Sequence, residues 1–160
     1  MKLIITGKRN SGKSTLVYNL CKKCKCHGVV CLPVFENKMK IGTDAIDLMT
    51  GEKKIFSRIK EKADYEGIEM HRYVINKNGL NHAINAIENA IKEEGIIVID
   101  EFGYLEKEKK GYYNSVKKVL NSNKDVIMVV RENVLKNFIE EFKGDYFILN
   151  MKNCIDFKYL

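Results

Sequence analysis

Gly7-Lys8-Arg9-Asn10-Ser11-Gly12-Lys13-Ser14, directly after the apolar run Leu3-Ile4-Ile5, decides the fold. The run reads as a buried strand, and the eight residues fit G-x-x-x-x-G-K-[ST] at a strand-to-helix junction. Gly7 and Gly12 permit positive φ and close approach, so consecutive backbone N–H groups can converge on phosphate oxygens. The helix that follows adds its N-terminal partial charge. On this chemistry Lys13 bridges the β- and γ-phosphates of a triphosphate, and the Ser14 hydroxyl is a ligand of the magnesium ion (Mg2+) that nucleotides carry. A glycine-rich turn without a ligand would satisfy the spelling but would need no second element downstream.

That second element is Ile96-Ile97-Val98-Ile99-Asp100-Glu101. Four aliphatic residues after the helix stop Gly95 describe a strand buried on both faces and ending in two carboxylates, the form of a Walker B strand. Asp100 at the strand's end is positioned to hold magnesium opposite the loop, and Glu101 to polarise the water that attacks the γ-phosphate. The candidate metal ligands are therefore Ser14 and Asp100, and the candidate catalytic residues Glu101 and Lys13. The nucleotide-binding set is Gly7, Lys8, Arg9, Asn10, Ser11, Gly12, Lys13, Ser14 and Thr15 from the loop, with Asp100, Glu101 and Gly103. Arg131, at the exit of a later strand, and Arg9 are each either a neutraliser of transition-state charge or a surface residue.

Around these anchors the chain alternates strands and helices. Residues 2–6 are a strand, 13 to about 26 a helix ended near Gly28, and 29–35 a strand in which Pro33 requires an edge or a bulge. The βαβ unit predicts a right-handed crossover between parallel strands. Residues 36–59 read as two antiparallel hairpin arms beside the sheet, and the charged stretch 60–70 as a loop. A strand over 70–75 leads to Asn76-Lys77-Asn78-Gly79, which lacks the Asp of the guanine-reading N-K-x-D motif and is turn chemistry. A helix over 80–92 buries Ala83, Ile84, Ile87 and Ile91. A helix over 111–120, a core strand over 126–130, a helix over 133–142 and a strand over 146–149 follow, with Glu106 capping or bracing the helix after it. The whole predicts one domain over 1–160, a three-layer α/β P-loop sandwich with a mostly parallel sheet and an antiparallel hairpin insertion at about 36–59.

Composition narrows the class. The chain has 160 residues, 45% hydrophobic, which suits one folded core. No apolar run approaches the roughly 18 residues of a membrane span, so the expected compartment is the cytoplasm, with no membrane partner. The net charge of +7 comes from 24 Lys against four Arg. Sequence-reading nucleic-acid sites lean on Arg, so a Lys-rich surface makes nucleic acid a lesser partner than a nucleotide such as ATP or GTP. Five Cys are an odd number for a disulfide framework. Cys21, Cys24, Cys26 and Cys31 with His27 invite a metal reading. Against it, Val17, Leu20, Cys21 and Cys24 fall on one helical stripe, where Cys packs as a small hydrophobe, and the remaining Cys154 is remote.

Taken together, the motifs resemble the family that contains thermophile-type and cancer-related nucleoside-triphosphatases. The likeness rests on Gly12-Lys13-Ser14-Thr15-Leu16, Asp47-Leu48-Met49-Thr50-Gly51-Glu52, and Asp100-Glu101-Phe102-Gly103-Tyr104-Leu105-Glu106. It implies magnesium-dependent hydrolysis of nucleoside triphosphates with loose base preference, on a P-loop fold with a catalytic Glu beside the Walker B Asp. A kinase is the first alternative, disfavoured because four Arg scattered through the sequence are few for an acceptor site. A nucleotide-gated binding module with slow hydrolysis is the second.

Overall fold

The computed structural model describes residues 1–151; Cys154 and the end of the tail lie outside them. In chain order the strands and helices are β1 (Lys2–Thr6), α1 (Lys13–Cys21), β2 (Cys26–Glu36), β3 (Met39–Asp47), β4 (Lys53–Ile59), β5 (Gly67–Met70) and β6 (Tyr73–Asn76). There follow α2 (Lys77–Ala90), β7 (Ile96–Phe102), α3 (Tyr104–Lys107), α4 (Tyr113–Leu120), β8 (Val126–Val130), α5 (Leu135–Glu141) and β9 (Phe147–Asn150). The strands form a single sheet in the order β5-β6-β4-β3-β2-β7-β8-β1-β9. From β2 to β9 the pairings are parallel, and from β2 outward to β5 they are antiparallel.

The period-2 alternation of the parallel strands builds a core on each face. Ile4, Ile97, Ile99, Val126, Met128 and Val130 join the cluster containing residues of α2, α4 and α5, whereas Ile5, Val98, Ile127 and Val129 join Val17 of α1. The sandwich therefore has α1 as one outer layer and the other long helices as the opposite one. Continuous aliphatic strands such as Val126–Val130, all five buried, follow from covering both faces.

Several boundaries differ from the sequence expectations. Helix α1 stops at Cys21, not near 26, because Lys22, Lys23 and Lys25 end the apolar stripe and Cys26 is needed as the first ladder partner of Ile96. Only Val17 of the proposed stripe is buried; Leu20 and Cys24 are exposed, and Cys21 is half-buried. The expected loop 60–70 contains β5, which pairs with β6. The expected hairpin insertion thus continues to Asn76 and is part of the main sheet, since open backbone groups on β4 are met by β6. The short helix α3 was not expected. Asn76-Lys77-Asn78-Gly79 is a helix start: the Asn76 side chain accepts from the Asn78 and Gly79 amides. Pro33 is tolerated because β2 pairs with β7 only from Cys26 to Val29, so that farther along, its second edge is open.

Candidate active site

The loop between β1 and α1 is held by backbone conformations that few side chains adopt. Gly7 has φ 142°, Asn10 60° and Gly12 82°, the last at the N-cap of α1. The loop curls around Lys13, which is 6% exposed. Its ammonium donates to the carbonyls of Gly7 (3.1 Å) and Lys8 (2.7 Å) and to Ser11 Oγ (3.3 Å). A buried cation with three oxygen partners is pre-positioned under the loop mouth. Lys8, Arg9, Asn10, Gly12 and Thr15 are exposed, and Ser14 is half-buried.

The downstream element meets the loop directly. Ser14 Oγ donates to Asp100 Oδ1 at 3.1 Å across 86 residues of sequence. The other carboxylate oxygen accepts from the Cys31 amide at 3.0 Å, because β2 has by then parted from β7 and leaves that N–H open. Asp100 is fully buried. Burial first, and the neighbouring Glu101 charge second, push its carboxyl up to about 7, while the Cys31 amide, the Ser14 hydroxyl and Lys13 pull it back. β7 does not end at the carboxylates but continues to Phe102, with a register shift against β8 between Asp100 and Phe102.

Glu101 is half-buried and paired with the Nε of Arg131, which leaves β8 and packs its guanidinium over the Tyr104 ring at 5.5 Å. Gly103 is buried and starts α3; its amide donates to Glu106 Oε2 at 2.9 Å, and the Tyr112 amide donates to Glu106 Oε1 at 3.2 Å. Glu106 therefore braces both the turn after β7 and the start of α4, as expected of it. Arg9 reaches the other way, with Nη2 donating to the Tyr73 hydroxyl at 3.2 Å and the guanidinium over that ring at 5.5 Å. Arg72 lies over the same ring. Arg9 and Arg131, far apart in sequence, are both electrostatic neighbours of Lys40, Arg72 shares the Tyr73 ring with Arg9, and Arg58 is paired with Asp44.

Sequence reasoning missed Lys40 on β3. Its electrostatic neighbours are Glu101, Arg9, Arg131 and Asp100, which places it among the candidate site residues; burial lowers its ammonium pKa, with Arg9 and Arg131 adding to the effect and Glu101 opposing it. No motif marks a lysine four residues past Glu36. Its location depends on β2 and β3 running on past the stretch where β2 pairs with β7.

Oxygen donors fit magnesium: a hydroxyl and a carboxylate side by side are hard ligands. Among the described residues no group of three or more His, Cys, Asp or Glu is arranged to hold a metal ion. Magnesium at a nucleotide site needs no such cage, since phosphates and water supply the remaining ligands. The four described cysteines, Cys21, Cys24, Cys26 and Cys31, are free thiols.

A glycine loop that opens a helix, with an Asp-Glu pair two strands away on a parallel strand, defines a P-loop nucleotide-binding protein. A family model described as NTPase matches residues 2–154. The nucleoside-triphosphatase THEP1 of Thermotoga maritima is 30% identical over 159 residues, covering 96% of this chain and 88% of that protein. Its namesake from Thermococcus kodakarensis is 28% identical over 161 residues, covering 96% and 87%. The crystal structure of THEP1 from Aquifex aeolicus superposes with a TM-score of 0.75 at 24% identity, covering 94% of this chain and 90% of that one. The solution structure of a human cancer-related nucleoside triphosphatase gives 0.69 at 20% identity, with 93% and 87% covered. At those identities the two structures speak to the fold alone. The chain belongs to the NTPase family and is an enzyme, a nucleoside-triphosphatase.

Proposed function

We propose that this chain hydrolyses nucleoside triphosphates to the diphosphate and phosphate, with magnesium and with loose preference for the base. The observation that carries the reading is the 3.1 Å contact between Ser14 and Asp100, which joins the phosphate loop to the acidic strand with Glu101 adjacent. Lys13 and the loop amides bind the β/γ oxygens. Ser14 and Asp100 would hold magnesium, whose chemistry there is to neutralise charge building on the phosphate oxygens. Glu101 orients the attacking water and takes its proton, and Arg131 holds the Glu101 carboxylate in place. Catalysis on this plan is positioning and charge neutralisation. Asn76 serves as a helix cap, so the Asn76-Lys77-Asn78-Gly79 stretch does not restrict the substrate to guanine. One continuous sheet supports reading 1–160 as a single domain. Free thiols and the lack, among the described residues, of a helix long and apolar enough to cross a membrane support a cytoplasmic setting.

The test is phosphate release with magnesium and each of the four common triphosphates. Glu101→Gln should keep nucleotide binding and lower turnover by about 10²- to 10⁴-fold; unchanged turnover refutes the role given to Glu101. A kinase reading gains from Arg9 and Arg131, which share the electrostatic surroundings of Lys40 and Glu101. It predicts a phosphorylated acceptor and little free phosphate, so the same assay with candidate acceptors separates the two.

A further inference from the structure

The turn between β2 and β3 is Asn37-Lys38, both at positive φ (48° and 64°), the geometry of a two-residue hairpin. From Val29–Asp47 to Val34–Gly42 the ladder is regular, but the next pair is Phe35–Lys40 rather than Phe35–Ile41. Ile41 is therefore a bulged residue. Because side chains alternate with period two, that single extra residue exchanges the faces of everything between it and the turn. Without the bulge, Ile41 would stand opposite Phe35, and Lys40 would be on the reverse face. With it, Lys40 takes the position across from Phe35 and its ammonium comes within electrostatic reach of Glu101, Arg9, Arg131 and Asp100.

Two further features separate Lys40 from an ordinary hairpin lysine. It is half-buried while Phe35 through Met39 are exposed, so its stem folds back toward the sheet. Among the described residues it is in no ion pair, although Lys53, Lys60 and Lys62 of the same arm are paired with acids. Glu101, its nearest source of negative charge in effect, is already held by Arg131. A half-buried cation with two guanidiniums among its electrostatic neighbours calls for an anion, and among the described residues none is ion-paired with it. Among the described residues the electrostatic neighbours of Lys40 are the cations Arg9 and Arg131 and the acids Glu101 and Asp100, with Glu101 already bound to Arg131, so a magnesium-bound triphosphate would add the negative charge that Lys40 lacks. Since Glu101 must lie near the water that attacks the terminal phosphorus, a cation within electrostatic reach of both Glu101 and the loop residue Arg9 belongs toward the γ end of the substrate.

We propose that Lys40, delivered by the Ile41 bulge, contacts the γ-phosphate and neutralises its charge in the transition state, a cation supplied by the antiparallel arm of the same chain. This rests on the hydrolytic reading above. It makes the arm part of the reaction centre and separates triphosphate from diphosphate by a charge that only the triphosphate meets.

The experiment uses the full chain with magnesium, and compares wild type, Lys40→Ala, Lys40→Arg and Lys13→Ala. Binding of a non-hydrolysable imidotriphosphate analogue and of the diphosphate is measured by calorimetry, and turnover by phosphate release. Lys40→Ala should weaken the triphosphate analogue by about 10-fold while leaving the diphosphate within about 2-fold, and lower kcat by roughly 10²-fold. Lys40→Arg should recover most of both. Equal loss for the two nucleotides, or no loss for either, overturns the assignment of Lys40 and leaves the hydrolytic site standing. Triphosphate binding undiminished in Lys13→Ala overturns the site itself, and the role of Lys40 with it. A thermal melt of Lys40→Ala superposing on wild type is expected; a lowered melt with parallel loss of both nucleotides marks Lys40 as structural and refutes the proposal.

Discussion

Glu106 offers the sharpest check on how the site is held. Its carboxylate is 5% exposed and accepts the Gly103 and Tyr112 amides, at 2.9 and 3.2 Å, one on each oxygen. Glu106→Ala leaves both buried donors without a partner. At about 1–3 kcal/mol for each orphaned group, the loss is about 4 kcal/mol, a large share of the roughly 5–15 kcal/mol that holds a domain together. At about 2–4 °C per kcal/mol for a chain of this size, the melting temperature should fall by roughly 8–16 °C. Glu106→Gln keeps one acceptor oxygen and turns an amide N–H₂ toward the other donor, so it should cost about 1–3 kcal/mol. Urea and thermal unfolding followed by circular dichroism measure both. A pH series adds a second signature. Burial pushes the Glu106 carboxyl above its ordinary value of 4.5, with the Gly103 and Tyr112 amides pulling it back. The folded chain therefore keeps a proton that the unfolded chain has lost. The stability this confers is complete below about pH 4.5 and is lost as pH rises through the folded value. In Glu106→Gln that portion of the pH slope should vanish. An alanine variant within about 1 kcal/mol of wild type would refute the bracing role.

Other consequences follow from single residues. Phe138 is fully buried, edge-on to Phe102 at 4.9 Å and against Phe142 and Tyr146, so Phe138→Ala should cost about 3–5 kcal/mol in urea unfolding. Gly28 has φ 104°, and a Cβ there would stand 2.2 Å from the Val98 carbonyl oxygen. Gly28→Ala should part β2 from β7 and be lost to the insoluble fraction or melt well below wild type. Burial, with the hydrogen bond to Cys26 next, pushes the Cys21 thiol up to about 12, whereas Cys24 is exposed. Mass spectrometry after brief iodoacetamide treatment near pH 8 should find Cys24 alkylated well before Cys21, because the thiolate is the reactive form.

Local chemistry made much of this legible. The strand-loop-helix spelling at Leu3–Ser14, the aliphatic run ending in Asp100-Glu101 and the fully covered strand Val126–Val130 each carry their own signal, because periodicity and glycine placement act within a few residues. The resemblance that these motifs carry pointed to the family that the comparisons show. Less was legible where a partner strand decides. Nothing in Gly67-Ile68-Glu69-Met70 distinguishes a charged loop from β5; its pairing with β6 does. Counting arginines along the chain likewise could not place them, since Arg9 and Arg131, on elements far apart in sequence, are both electrostatic neighbours of Lys40.

By itself the sequence determined that a phosphate loop begins the sheet, that an acidic strand answers it, and that the layers are α/β. Those properties reside in short stretches whose backbone freedom and apolar period need no distant contact. Only the tertiary structure decided that Ser14 meets Asp100, that Arg131 holds Glu101, that Glu106 ties two turns together, and that Lys40 comes within electrostatic reach of Glu101 and Asp100. Each depends on which strands lie side by side and in what register, and a shift of one residue, as at Ile41, reverses the face on which a side chain emerges.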